Sequence, residues 1–149
     1  MKRLAALAVA VAFATLAFRP SAFANPIKTI FAPSSVWDSV YTDSQTVRGD
    51  SLYKAMCVKC HAPDLTGTPD GNPLVGSDFM ASWHGLTLDQ IYDKILNEMP
   101  SDNPKTVPPP LVPDVLAYIL KSNGFPAGTK PLPGTMDSLK TIKFEKSRP

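Results

Sequence analysis

Residues 57–61 read Cys57-Val58-Lys59-Cys60-His61, and the reading of the whole chain turns on them. Two thiols separated by two residues can each add to one vinyl group of a haem, and the histidine that follows is then held under the iron as its proximal ligand. A C-x-x-C pair taken alone could also be a redox dithiol, half of a zinc site or a disulfide. Zinc needs a second ligand pair, yet the only other histidine is the isolated His84 and there is no third cysteine. A thioredoxin-like dithiol sits in a βαβ context, and no such pattern surrounds these residues. Haem attachment, one haem c per chain with both thiols consumed, is the reading the spacing favours.

Outward from the motif, the segments follow the needs of a large prosthetic group. Residues 1–24 carry Lys2 and Arg3, then the apolar run Leu4–Phe18, then Ala22-Phe23-Ala24. That is the pattern of a cleaved signal peptide. The run is shorter than the roughly 20 residues of a membrane span, so a retained anchor is the lesser alternative. The expectation is export, most simply to a bacterial periplasm, with no stable membrane span after cleavage. The charge of +2 over all 149 residues includes Lys2, Arg3 and Arg19. Without residues 1–24 there are 12 basic and 13 acidic residues, which leaves none of the basic excess that marks a nucleic-acid binder. Fifteen prolines among those 125 residues rule out long uninterrupted helices.

Residues 25–41 read as an extended lead-in packed on the surface, with Val36, Trp37 and Tyr41 as apolar pins. Thr42 to Met56 is expected to be helical, opened by a Thr42/Gln45 capping box and presenting Val47, Leu52, Tyr53 and Met56. Gly49 costs about 1 kcal/mol inside a helix, so close approach of another helix is expected there. Residues 62–85, broken by Pro63, Pro69, Pro73, Gly67, Gly71, Gly76 and Gly85, read as one long loop wrapping a cofactor edge. Within it, Trp83 is placed either to direct its indole N–H at a haem propionate or to fill the core.

Thr87–Asn97 shows apolar residues at Leu88, Ile91, Tyr92, Ile95 and Leu96, the i, i+3, i+4, i+7 pattern of an amphipathic helix, with Thr87 and Gln90 as a second capping pair. Pro100 to Pro113 holds six prolines and reads as a rigid extended loop. A last helix is expected over 115–121, with Pro113 in its first turn and Gly124 in the left-handed stop position. Residues 129–149 read as a basic tail, a solvated surface strap rather than a binding motif. The chain has no repeats, no phosphate loop and no Ser/His/Asp arrangement.

A haem held by one histidine needs a sixth ligand or leaves an open site. The candidates are Met80, Met99, Met136, His84 and lysines. Met99 is favoured because it follows an amphipathic helix directly and is fixed by Pro100 and a proline-rich loop, whereas methionine elsewhere is ordinarily core filler.

These elements resemble the class I monohaem c-type cytochromes over residues 42–124. Gly49 and Tyr53 look like the glycine and aromatic of that family's N-terminal helix, Cys57–His61 like its haem motif, and Met99-Pro100 like its distal-ligand loop. Pro73-Leu74-x-Gly76 is similar to the segment whose proline carbonyl accepts the proximal histidine's Nδ1–H. Ala117-Tyr118 resembles the aromatic position of the C-terminal helix that crosses the first at the glycine. The segments Val36–Thr42 and Gly124–Gly128 are similar to small cytochromes that accompany periplasmic dehydrogenases. The resemblance implies an all-α cytochrome c fold of three to five short helices and long loops around one covalently bound haem, in a domain spanning 42–128. It implies a haem site of Cys57, Cys60, His61, Met99 and Pro73, to which the reading of the loop adds Trp83, with iron held by His61 and Met99. It further implies a monomeric electron carrier, not an enzyme, working between a periplasmic dehydrogenase and a terminal oxidase or another cytochrome. Two alternatives stand beside this: a cytochrome subunit permanently docked to a dehydrogenase, and a haem enzyme or sensor with an open or displaceable sixth ligand. The rim of the haem edge is expected at Cys60, Ala62, Pro63 and the loop from Met99 to Pro110, a surface of nearly balanced charge.

Overall fold

Thr42 opens the first helix, α1 (Asp43–Met56), through a reciprocal capping box: its hydroxyl accepts the Gln45 N–H and the Gln45 side chain accepts the Thr42 N–H. The computed structural model describes residues 34–149, so the expected signal peptide and residues 25–33 of the lead-in lie outside the described residues. Gln45 has a second task. Its Oε1 accepts the Leu132 N–H at 2.7 Å and its amide donates to the Leu132 carbonyl at 3.2 Å, tying the C-terminal segment to the helix start.

The inward face of α1 is Gln45, Thr46, Gly49 and Tyr53. Val47, expected on that face, is 66% exposed, because two helical residues turn it about 160° away from Gly49. The face is set by the glycine. A Cβ at Gly49 would lie 2.0 Å from the Asp114 carbonyl oxygen and 2.8 Å from the Tyr118 Cβ, so only glycine lets α5 (Val112–Ser122) cross there. Arg48 clamps the same crossing, with Nε and a terminal amino group donating to the two Asp114 carboxylate oxygens at 2.6 and 2.8 Å. Asp114 is buried in the first turn of α5, where the free helical N–H groups favour an anion. α5 begins three residues earlier than expected, since Pro113 is compatible with a first turn. Gly124 follows it at φ +82°.

A single turn, α2 (Val58–His61), carries the C-x-x-C-H motif. Residues 76–83, expected as loop, form α3 (Gly76–Trp83). Gly76, at φ +86°, marks where the chain turns into the helix rather than a break within it. Phe79 and Trp83, one turn apart, carry its inner side. α4 (Leu88–Glu98) buries Leu88, Ile91, Tyr92 and Ile95, as the periodicity predicts. Thr87 stands at its N-cap, but its hydroxyl donates to Asp89 at 2.5 Å and caps no backbone N–H, so the second capping box is not formed.

The largest departure concerns residues 129–149. They are not a solvated tail. Leu132, Leu139, Ile142 and Phe144 are buried, with a helical turn, α6 (Met136–Leu139), and a short strand, β2 (Ile142–Lys143), between them. β2 pairs in parallel with β1 (Ser34–Ser35), Ser34 opposite Ile142 and Ser35 opposite Lys143. Phe144 donates its N–H to Leu86 at 2.8 Å and its carbonyl accepts from Gly85 at 2.9 Å. Its ring meets Phe79 edge-on at 5.7 Å and Phe125 at 5.3 Å. The lysines of this segment alternate with apolar residues that turn inward, and only the lysines are prominent in composition. The lead-in is drawn in likewise: Val36 and Tyr41 are core residues, and Trp37 donates its indole N–H to the Glu145 carbonyl at 2.9 Å. The result is an all-α fold with a strap formed by the two ends of the described chain.

Candidate haem site

The motif is held from beneath by α1 and from the side by the chain that follows. Cys57 continues from α1 through its N–H to the Tyr53 carbonyl at 2.8 Å, and His61 closes the turn onto the Cys57 carbonyl at 3.0 Å. Ala62, at φ +62°, ends the turn, and its carbonyl accepts the Tyr53 hydroxyl at 2.5 Å. Thr68 donates to the Cys60 carbonyl at 2.7 Å. At Gly71 a Cβ would fall 2.5 Å from that same carbonyl oxygen. The returning loop therefore lies directly on the motif, which a side chain at position 71 would prevent.

His61 Nδ1 is 2.7 Å from the Asn72 carbonyl oxygen. A carbonyl only accepts, so Nδ1 carries the proton and Nε2 keeps its lone pair. This corrects the expectation that the Pro73 carbonyl makes the bond: the acceptor is one residue earlier. Pro73 acts on it indirectly, because a residue before proline is confined to extended backbone, and this fixes the direction of the Asn72 carbonyl.

Cys57, Cys60 and His61 face a cavity of about 680 Å³, which also has Met99, Pro73 and Trp83 on its wall. Much of the remaining wall is apolar: Phe79 from α3, Ile91 and Ile95 from α4, Val107 from the proline-rich loop, Val115 and Ile119 from α5. Met99 is placed by the end of α4, where it is the C-cap residue. Of the other candidates for a sixth ligand, Met80, His84 and Met136 do not reach the cavity, and Lys94, the one lysine on its wall, is held by the Glu98 carboxylate at 2.6 Å. His84 instead accepts the Lys146 N–H at 3.4 Å, and Met136 begins α6. Trp83 is half-buried, 6.3 Å from Phe79, and its indole N–H has no hydrogen-bond partner among the described residues.

Cys57 and Cys60 are unpaired thiols. Burial, and then proximity to Cys60, push the Cys57 thiol up to about 11, the reverse of the lowered value that makes a redox dithiol reactive. The donor set suits haem: an imidazole with a free Nε2, a thioether and two thiols line one largely apolar cavity in the size range of cofactor sites. Sequence reasoning did not find Asn72, Gly71 or Thr68. None has a signal of its own in the chain, since each acts through backbone proximity that exists only once the loop has folded back.

Residues 44–119 match the family described as cytochrome c oxidase, cbb3-type, subunit III. The chain belongs to that family. It is a monohaem c-type cytochrome, its cofactor is haem c, and its function is electron transfer. No curated protein matches the sequence. Among solved structures it is similar to the sulfane dehydrogenase SoxCD from Paracoccus pantotrophus, at 18% identity and a TM-score of 0.48, over 72% of this chain and 61% of that chain. Among the described residues of the cytochrome no helix is long and apolar enough to cross a membrane.

Proposed function

We propose that the cytochrome is an exported, periplasmic one-electron carrier whose haem is bound covalently at Cys57 and Cys60 and ligated by His61 and Met99. The observation that carries this reading is that these four side chains line a single cavity while Met80, His84 and Met136 do not. Attachment needs no oxidant and no leaving group. The Cys57 and Cys60 thiols would each hold the group through a thioether, the sulfur taking one vinyl carbon and the thiol hydrogen the other.

The haem, when bound, supplies a one-electron iron couple. The chain's residues decide how that couple behaves. His61 is oriented by its bond to Asn72, which keeps Nε2 available and strengthens it as a donor. A thioether from Met99 favours the ferrous state relative to a second nitrogen ligand, and the apolar wall disfavours the more charged ferric state. If His61 and Met99 both hold the iron, the group would have no place left for a substrate, which would separate a carrier from an enzyme or sensor.

The exchanging edge is the rim around Cys60, Ala62, Pro63 and the loop after Met99. Lys59 reaches across it to Asp102 at 3.3 Å, with the two side chains 81% and 62% exposed, so the rim carries little net charge. A small contact with modest electrostatic steering fits such a surface. A periplasmic dehydrogenase is the donor class we infer, and a terminal oxidase or another cytochrome the acceptor class; the family's own description as an oxidase subunit supports the latter.

The test is the intact mass and optical spectrum of the protein after export. We expect the mass of residues 25–149 plus one haem, and in the oxidised state the weak long-wavelength charge-transfer band of iron–thioether ligation. A mass without haem overturns covalent attachment, and a spectrum lacking that band overturns Met99 as ligand.

A further inference from the structure

The C-terminal strap separates the protein's charge. Residues 129–149 hold five basic residues and two acidic ones, whereas residues 34–128 hold six basic and eleven acidic. Lys140 is within 3.7 Å of Asp137. Lys130, Lys143, Lys146 and Arg148 enter no ion pair among the described residues.

These cations stand on an ordered main chain. The Lys143 carbonyl accepts the Val36 N–H at 3.0 Å, Phe144 is bonded on both sides to residues 85 and 86, the Glu145 carbonyl holds Trp37, and the Lys146 N–H reaches His84. Lys143 and Lys146 are therefore presented outward from a fixed edge with Phe144 buried between them, and Arg148, also exposed, follows two residues on. Glu145, half-buried within the edge, and Asp38, just after β1 and with its carboxylate occupied by the Ser35 N–H at 2.8 Å, are the opposing charges closest to it along the chain and beyond its paired strand.

We infer that the strap edge of Lys143, Lys146 and Arg148 is a docking surface for an acidic protein face, separate from the rim at the thioether edge. This rests on the electron-carrier reading only for its purpose; the docking itself needs no electron transfer. A protein partner suits the surface better than a lipid one. Membrane-surface segments pair cations with apolar side chains that enter the interface, whereas in the strap Leu132, Leu139, Ile142 and Phe144 are buried and Met136 is half-buried against the core. The position also suits a carrier. Phe144 lies one ring from Phe79, which lines the cavity, so a partner on the strap is near the cofactor by an aromatic path. The rim stays free for a second partner.

The probe is a short polyglutamate peptide titrated into the haem-loaded full chain and followed by backbone amide shifts, beside phosphatidylglycerol–phosphatidylcholine vesicles. We expect shifts centred on residues 84–87 and 141–148, and binding that is lost toward physiological ionic strength, where exposed charges are screened over about 8 Å. The variant K143Q/K146Q/R148Q should bind about tenfold more weakly, the sum of three exposed ion pairs, with an unchanged optical spectrum. Shifts centred on Lys54, Lys59 or Lys94, no binding, equal binding by the triple variant, or tighter binding to vesicles than to the peptide would each overturn the assignment. The optical spectrum reads the electron-carrier proposal separately, so failure of one is not mistaken for failure of the other.

Discussion

Gly49→Ala should destabilise the cytochrome, although in an ordinary exposed helix the same change stabilises. The propensity gain is about 1 kcal/mol in favour of alanine. Against it stands a Cβ 2.0 Å from the Asp114 carbonyl oxygen, 2.7 Å from its carbon and 2.8 Å from the Tyr118 Cβ. Ordinary contact begins near 3.4 Å, so α1 and α5 would have to part by more than an ångström along a face that also carries the Arg48–Asp114 clamp. Two of the three atoms are backbone and cannot rotate away. Overpacking of this kind costs about 3 kcal/mol, leaving a net loss of about 2 kcal/mol. With a urea dependence of about 2 kcal/mol per molar, the midpoint of unfolding of the haem-loaded protein, followed by far-UV circular dichroism, should fall by about 1 M. Gly134→Ala is the internal control, because its Cβ would meet only the Pro113 ring at 3.4 Å; it should shift the midpoint little. If Gly49→Ala is as stable as the parent, the helix crossing is not where the structure places it.

Met99→Ala should open the iron, giving a high-spin spectrum and tight binding of added imidazole, while Met80→Ala should change neither; the opposite result would place the distal ligand in the wrong loop. Phe144→Ala removes a fully buried ring and should cost about 3 to 5 kcal/mol, measured by urea unfolding, whereas a solvated tail would lose almost nothing. Burial and then Asp43 raise the Tyr41 hydroxyl from 10.0 to about 12. The folded state then holds a proton that the unfolded state releases first, so stability is complete below pH 10 and falls as pH rises toward 12. Urea midpoints across that range should fall for the parent and fall less for Tyr41→Phe; parallel declines would remove Tyr41 as the cause.

The helices that carry the cavity were legible because their signals are local. The Thr42/Gln45 box, the Leu88–Ile95 periodicity and the glycine at 49 each show in a few neighbouring residues. Local signals also misled where two readings shared the same residues. Val47 looked apolar and therefore inward, but α1 is oriented by backbone approach at Gly49, and its buried face contains a glutamine and a threonine. Gly76 looked like a breaker and concealed α3. The acceptor for His61 was misplaced by one residue because proline, the visible residue, directs its predecessor's carbonyl rather than offering its own.

The strap was illegible for a different reason. Its backbone partners lie from about 60 to 108 residues away along the chain, and Leu132, Leu139, Ile142 and Phe144 are too irregularly spaced to show a period. What composition displayed were the lysines, which are the residues that do not take part in its packing. Of the site itself, the ligand types and their order could be read from the chain. Their convergence on one cavity could not, since it depends on where α4 ends relative to a motif nearly forty residues earlier.

The pairing of β1 with β2 also has a temporal consequence. Trp37 finds its acceptor at Glu145, 108 residues later, and Val36 finds its own at Lys143. Contacts of such span form slowly, because the intervening chain must be closed into a loop before they return any stability. The earliest described residues thus cannot reach their final places until residues 141–145 have been made. Until β2 exists, β1 and Trp37 have no partner to close on, and the seam they form with it is open while the helices between them can already pack.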